Sequence, residues 1–196
     1  MNPSGSVIKT LKGAGKIYDF RNTRVLPPNG GLIRPLIAIE HIPVVRNVKG
    51  TADFLTLARV LRDQGLSLQT ATDREGNVAL FNNLNRLCYQ ARGSNQLSYG
   101  TEHMHMSIGE EWSKRQLRAS AWIWQYAERE YGIPLLVAKL GSGNPTPVIK
   151  RGHTSHQRQA VAAGYNDRSD PGGKYDWEYV RAASIFFKRH GHFVGV

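Results

Sequence analysis

Gly152-His153-Thr154-Ser155-His156, followed by Arg168-Ser169-Asp170-Pro171-Gly172 and then Tyr175-Asp176-Trp177, is the stretch on which the reading of this chain turns. It sets imidazoles and a carboxylate across what reads as one loop, with the carboxylate just ahead of an aromatic helix start. Imidazole nitrogen and carboxylate oxygen are donors that a catalytic zinc takes, three protein ligands leaving a fourth position open. Neither half is unusual alone: histidines also cap turns, and an Asp before Pro-Gly is an ordinary turn former. The combination is what raises the pattern above either part.

Working outward, Asp176 is placed to cap a last helix that buries Trp177, Val180, Ser184 and Phe187. Upstream, Leu36-Ile37-Ala38-Ile39 reads as a buried strand ending at Glu40-His41, before Pro43. Thr51 opens a helix with Phe54, Leu57 and Leu61 on one face and Gly65 as its stop. Two short strands are expected over Leu66–Thr72 and Asn77–Phe81, joined by the turn Asp73-Arg74-Glu75-Gly76. A further strand over Ser98–Met106 leads to Ser107-Ile108-Gly109-Glu110, which reads as a capping box. That helix should run to Tyr131 with Leu117, Ala121 and Trp124 near one face, ended by Gly132 and Pro134. Strands interleaved with about three helices give an α/β domain, a mixed central β-sheet with helices on its faces. Residues 1–31, rich in Gly, Pro, Asn and basic side chains, read as an N-terminal extension or linker ahead of a domain over 32–196. A binding arm, or a strand completing the sheet, are the other roles open to them.

The chain of 196 residues is 40% hydrophobic, enough for one cored domain. Its net charge of +11 and pI near 10.0 call for a partner that tolerates a cationic surface. The basic residues are dispersed and no nucleic-acid motif accompanies them, so nucleic acid is not the expected partner. The single Cys88 excludes a disulfide framework or a Cys-rich zinc site, and reads as a small buried hydrophobe. Neither a signal peptide nor a membrane span is visible, so the expectation is synthesis in a cytoplasm.

At these residues the chain resembles the zinc-dependent N-acetylmuramoyl-L-alanine amidases of the type 2, peptidoglycan-recognition-protein-like family, and phage endolysins in particular. The strand Leu36–Glu40 with His41 resembles the family's first strand and first metal histidine. Ser98-Tyr99-Gly100-Thr101-Glu102-His103 resembles the strand whose glutamate is catalytic. The closing segment resembles the family's "T-S-H … D-P-G … F-D-W" ending, which supplies the second histidine and the acidic third ligand. The likeness runs in order from about Leu32 to the C-terminus.

The resemblance implies zinc held by His41, His156 and Asp170, with His153 as the alternative to His156. It implies Glu102 as the residue that handles protons, and Arg168, where relatives often keep a lysine, as the cation beside the oxyanion. It implies water activated at the metal and cleavage of the amide between N-acetylmuramic acid and L-alanine in bacterial peptidoglycan. An endolysin would be released through a holin, or carried on the virion, to act at the cell wall, where anionic polymers suit a basic surface. One departure matters: the family's first ligand directly follows the apolar run, and here Glu40 holds that place, with His41 one residue later. A one-residue shift turns a strand side chain to the other face. Either the strand ends early or Glu40 participates. That departure keeps alive a second reading, a non-catalytic peptidoglycan-binding module of the same fold. A third is a basic nucleic-acid-binding protein with a structural zinc.

Four further sets of residues carry expectations of their own. His103 and His105 share a strand face opposite Glu102, while Met104 and Met106 share Glu102's face. Trp112, Trp122 and Trp124 read as core, and Tyr165 as a loop aromatic able to meet substrate.

Overall fold

A run of five residues without a polar face, Ile37–His41 (β3), is buried at every position, as a strand covered on both sides must be. It lies between parallel β6 (Ser98–His103) and β9 (Gly152–Ser155). In the computed structural model, which describes residues 5–43, 51–105, 109–138, 140–141, 148–149, 151–165, 168–172 and 174–194, these strands end a seven-stranded mixed sheet. Beyond β6 come β4 (Thr70–Thr72), then antiparallel β5 (Val78–Leu80). The sheet closes with β2 (Lys16–Asp19) and the edge strand β1 (Ser6–Thr10). A separate pair joins β7 (Leu140–Gly141) to β8 (Val148–Ile149).

Alternation along the strands assigns each face its helices. Ala38 and Tyr99 point into the larger core, with Ala119, Ile123 and Trp124 of α2 (Lys114–Tyr131) and Val180, Ala183 and Phe187 of α4 (Trp177–His190). The opposite face packs Ala71, Ala79 and Met104 against Phe54, Leu57, Ala58 and Leu61 of α1 (Thr51–Asp63). Each of the larger apolar side chains here contributes roughly 1.5–3 kcal/mol when fully buried and each alanine less, so two-sided coverage is what makes β3 stable inside the sheet.

Several expectations change. Residues 6–19 do complete the sheet, because Leu11 and Ile17 are 2% and 1% exposed and belong to the larger core. Helices number four among the described residues, the additional one being α3 (His156–Ala162), capped by Ser155, whose hydroxyl accepts from Arg158 N–H. Gly152–Ser155 is strand β9, not loop, and His156 is the first residue of α3. Helix α2 begins at Lys114, with Ser113 accepting from Gln116 N–H at 3.0 Å. Ser107 of the expected capping box, and Met106, lie outside the described residues. The helix stop at Gly132 (φ 64°) and the Asp176 cap stand as expected, and α4 ends on a further left-handed glycine, Gly191 (φ 73°).

Candidate metal centre and active site

Three parallel strands, β3, β6 and β9, end on the same side of the sheet, where open α/β sheets place their ligands. His41 is the last residue of β3 and pairs in register with Glu102 on β6, so both side chains leave the sheet on the α1 face. His156 follows directly on β9. Asp170 is brought in by the loop before α4, its carbonyl accepting from Gln157 N–H at 3.0 Å and its Oδ2 from Ile42 N–H at 3.3 Å.

The three donors converge. His41 Nδ1 and His156 Nδ1 stand 3.0 Å apart, with Asp170 Oδ2 3.6 Å from the first and Oδ1 3.3 Å from the second. One ligand atom from each lies within 4.8 Å of the others, the one such group among the described residues. Two imidazole nitrogens aimed at each other and at one carboxylate suit a shared cation better than a hydrogen bond, which only one of them can donate. The donor set therefore fits a divalent metal, and nitrogen with carboxylate oxygen is a zinc-type set.

Electrostatics sharpen the site. Burial raises the Asp170 carboxyl, but its bonds to His156 and His41 outweigh that and hold it well below the carboxylate range. Burial lowers His156. In His41 burial is overcome by the carboxylates of Asp170 and Glu102, and its value rises. Glu102 moves the other way: burial pushes it up to about 7, with His41 opposing and Asp170 reinforcing. Its Oε2 is shielded and has no hydrogen-bond partner among the described residues.

All of these groups line one cleft of about 490 Å³, walled by Leu57, Leu61 and Leu66 on one side and by Arg92, Arg168 and half-exposed Tyr89 elsewhere. Tyr165 stacks under the Arg92 guanidinium at 4.3 Å. His153 is not in this group. It lies on the opposite face of β9, stacked flat on Trp124 at 3.7 Å. Glu40 is there too, fully buried: its Oε1 accepts from Trp124 Nε1 (2.7 Å), its Oε2 lies 2.8 Å from His103 Nε2, and His153 Nδ1 is 3.4 Å away. Neither alternative for Glu40 describes this. The strand continues through His41, and Glu40 participates in a separate network on the far side. His103 and His105 do lie opposite Glu102, and Met104 is buried on Glu102's side. Cys88 is buried and unbridged, its thiol pushed up to about 11. Trp112 is half-buried, packed edge-on against His103. Sequence reasoning missed Gln90, whose Oε1 meets His41 Nε2 at 2.6 Å; nothing in local pattern marks a loop glutamine as a histidine's partner.

The sequence pattern of the family described as Amidase_2, N-acetylmuramoyl-L-alanine amidase, matches residues 36–173. The chain belongs to this family. The match contains every residue placed in the cleft's donor group. Among solved structures, the fold is similar to the N-acetylmuramoyl-L-alanine amidase LysC from Clostridium intestinale (14% identity, 86% of this chain and 97% of that one, TM-score 0.60). It is also similar to Staphylococcus aureus AmiA (13%, 91% and 87%, 0.65) and Drosophila PGRP-LB (16%, 92% and 96%, 0.60). No curated protein matches the sequence. At such identities the structures establish a shared fold, an α/β sheet flanked by helices. No helix among the described residues is long and apolar enough to cross a membrane.

Proposed function

We propose that this chain is a peptidoglycan hydrolase that cuts the amide between the lactyl group of N-acetylmuramic acid and the first L-alanine of the peptide stem. The observation that carries this is the convergence of His41, His156 and Asp170 beside an unpartnered Glu102 carboxylate in one open cleft. His41, His156 and Asp170 would hold the metal, which we take to be Zn²⁺. Bound there, it supplies Lewis acidity, acidifying water and polarising a carbonyl.

The chain's own residues do the rest. Glu102, held near neutrality by burial, takes the proton of the attacking water at its free Oε2 and returns it to the leaving nitrogen of L-alanine. Arg168, on the cleft wall, places positive charge near the developing oxyanion. A guanidinium offers charge and hydrogen-bond donors there, so its role is electrostatic. The cleft's apolar wall from α1 excludes water from one side of the stem. The net charge of +11 favours approach to an anionic wall. The setting that fits is a phage-type endolysin made in a bacterial host's cytoplasm and acting on its wall, by holin-dependent release or from the virion. The same complete donor set, with Glu40 turned away, argues against the binding-only alternative.

The test is zinc content together with stem-peptide release from purified peptidoglycan, for the wild type, His156→Ala and Glu102→Ala. About one zinc per chain lost in His156→Ala, with release abolished in both variants, is the expected result. Bound zinc without release from any wall type would replace this reading with the binding module. A folded protein that takes no zinc and binds nucleic acid would overturn it.

A further inference from the structure

His41 turns Nδ1 towards His156 and Asp170 and Nε2 towards Gln90 Oε1, 2.6 Å away. Which of the two nitrogens carries the proton is decided on the Gln90 side of the ring. Gln90 Nε2 lies 2.7 Å from Ser98 Oγ, and Ser98 Oγ lies 2.8 Å from the carbonyl of Ser94. A carbonyl can only accept. The one hydroxyl proton of Ser98 therefore goes to Ser94, and Ser98 Oγ must accept from the Gln90 amide. That leaves Gln90 Oε1 facing His41, where an acceptor requires Nε2 to be the N–H. A neutral imidazole has a single N–H, so Nδ1 keeps its lone pair.

We infer that Gln90, oriented by Ser98 and the Ser94 carbonyl, is a positioning residue that fixes His41 as the Nε2–H tautomer and presents Nδ1 as a metal ligand. The inference rests on the reading of His41 as a ligand. The relay has a rigid root. Asn95 Oδ1 accepts from the backbone N–H of both Gln90 (3.0 Å) and Ala91 (2.8 Å), and Gln159 Nε2 donates to Ser94 Oγ (2.9 Å). It also has reserved space: a Cβ on Gly100 would come within 2.8 Å of Gln90 Cδ and Oε1, so the glycine in β6 leaves room for the amide. Outer partners of this kind hold ring orientation and ligand basicity in metal sites.

The experiment is ¹⁵N-histidine NMR of the zinc-free protein at alkaline pH, with zinc affinity by chelator competition, on the wild type, Gln90→Met, Gln90→Glu and Gly100→Ala. In the wild type His41 should appear as the Nε2–H form. Gln90→Met, of similar length without the acceptor, should mix the tautomers and weaken zinc binding about 10–100-fold. Gln90→Glu restores an acceptor and should recover most of the affinity. Gly100→Ala should resemble Gln90→Met in weaker form. Should Gln90→Met fail to fold, Gly100→Ala and the wild-type spectrum still decide. A wild-type His41 found as Nδ1–H overturns the inference, as does unchanged tautomer and affinity in the variants. None of these readouts needs catalysis, so a relay that holds in a protein releasing no stem peptide would count against the amidase reading alone.

Discussion

Glu40 and His41 are consecutive residues of one strand, both buried, and they serve opposite purposes. Glu40 faces α2, where Trp124 and His103 satisfy its two oxygens, and His103 Nδ1 is satisfied in turn by Thr72 Oγ1 at 2.8 Å. Burial alone would raise this carboxyl, but its hydrogen bonds with His103 and His153, reinforced by electrostatic interaction with the same two rings, hold it at about 2. His41 faces the cleft, where Nδ1 points at another nitrogen and at Asp170. On one face both oxygens of Glu40 are bonded within a buried network in which His153 Nε2 is left without a partner among the described residues; on the other, the donors of His41, His156 and Asp170 converge beside Glu102. Strand alternation keeps the two apart with no intervening structure, so they should be separable by substitution.

The largest effect should come from the open face. Glu102→Gln is expected to lower stem-peptide release by about 10²–10⁴-fold, the range for loss of a general base. In the metal-free protein its melting temperature should hold or rise, because burial destabilises the ionised carboxylate and the amide removes that cost. A variant that loses activity by unfolding would erase the distinction drawn here. Glu40→Ala should do the reverse and be the most destabilising substitution of those on either face. Leaving His103 and Trp124 without their acceptor should cost about 3–5 kcal/mol, read by denaturant titration without metal. A Glu40→Ala protein that melts like the wild type would show that the network is not structural.

How much of this was legible in the sequence varies by element, for physical reasons. The opposition of Glu102 to His103 and His105 follows from period-two alternation and needed no structure. The Glu40-His41 step was visible as a conflict, but its resolution was not, because whether β3 continues to residue 41 depends on partners 61 and 115 residues away in sequence. His41, Glu102, His156 and Asp170 could be named from motif resemblance, whereas their convergence is a product of three parallel strands ending together. Gly152–Ser155 is short, polar and begins with glycine, so it lacks the apolar run that marks a strand; its burial comes from pairing with β3. Residues 6–19 fail for a similar reason: β1 is exposed throughout, and only Leu11 and Ile17 betray the core. The structure caps α2 at Ser113, which has Gln116 three residues on just as Ser107 has Glu110. The spacing cannot rank them.

A smaller effect tests how far the Glu40 network extends. His105 is fully buried, its Nε2 3.0 Å from Gln116 Oε1 and its ring 4.2 Å from that of Trp112. Burial first, then the neighbouring His103 and Arg74, bring it down from the usual 6.5 to about 4, with the bond to Gln116 opposing. As pH falls the unfolded chain takes up this proton first, so the contribution is complete above 6.5 and is lost on the way to 4. In chelator-containing buffer, stability should fall by about 2 kcal/mol between pH 7 and pH 5 from this residue. His105→Leu should flatten that part of the profile. A wild-type stability indifferent to pH across this interval would mean that the ring is charged or solvated in the folded state.

The smallest effect lies where the network meets the helix that carries it. Ser113 accepts from Gln116 N–H and donates to Arg74 O at 2.5 Å, so a single hydroxyl starts α2 and ties it to the turn between β4 and β5. Gln116 in turn holds His105 and reaches the carbonyl of Met104. Ser113→Ala should cost about 1 kcal/mol, the usual worth of an N-cap. Ser113→Asp should recover the cap but not the bond to Arg74 O, since an ionised carboxylate cannot donate. Zinc affinity and stem-peptide release should be unchanged in both, because the sheet lies between this helix start and the cleft. If Ser113→Ala instead weakens zinc binding, the two faces of the sheet are coupled through β4 and β6. The separation of Glu40 from His41 by alternation would then be a matter of geometry only, not of energy.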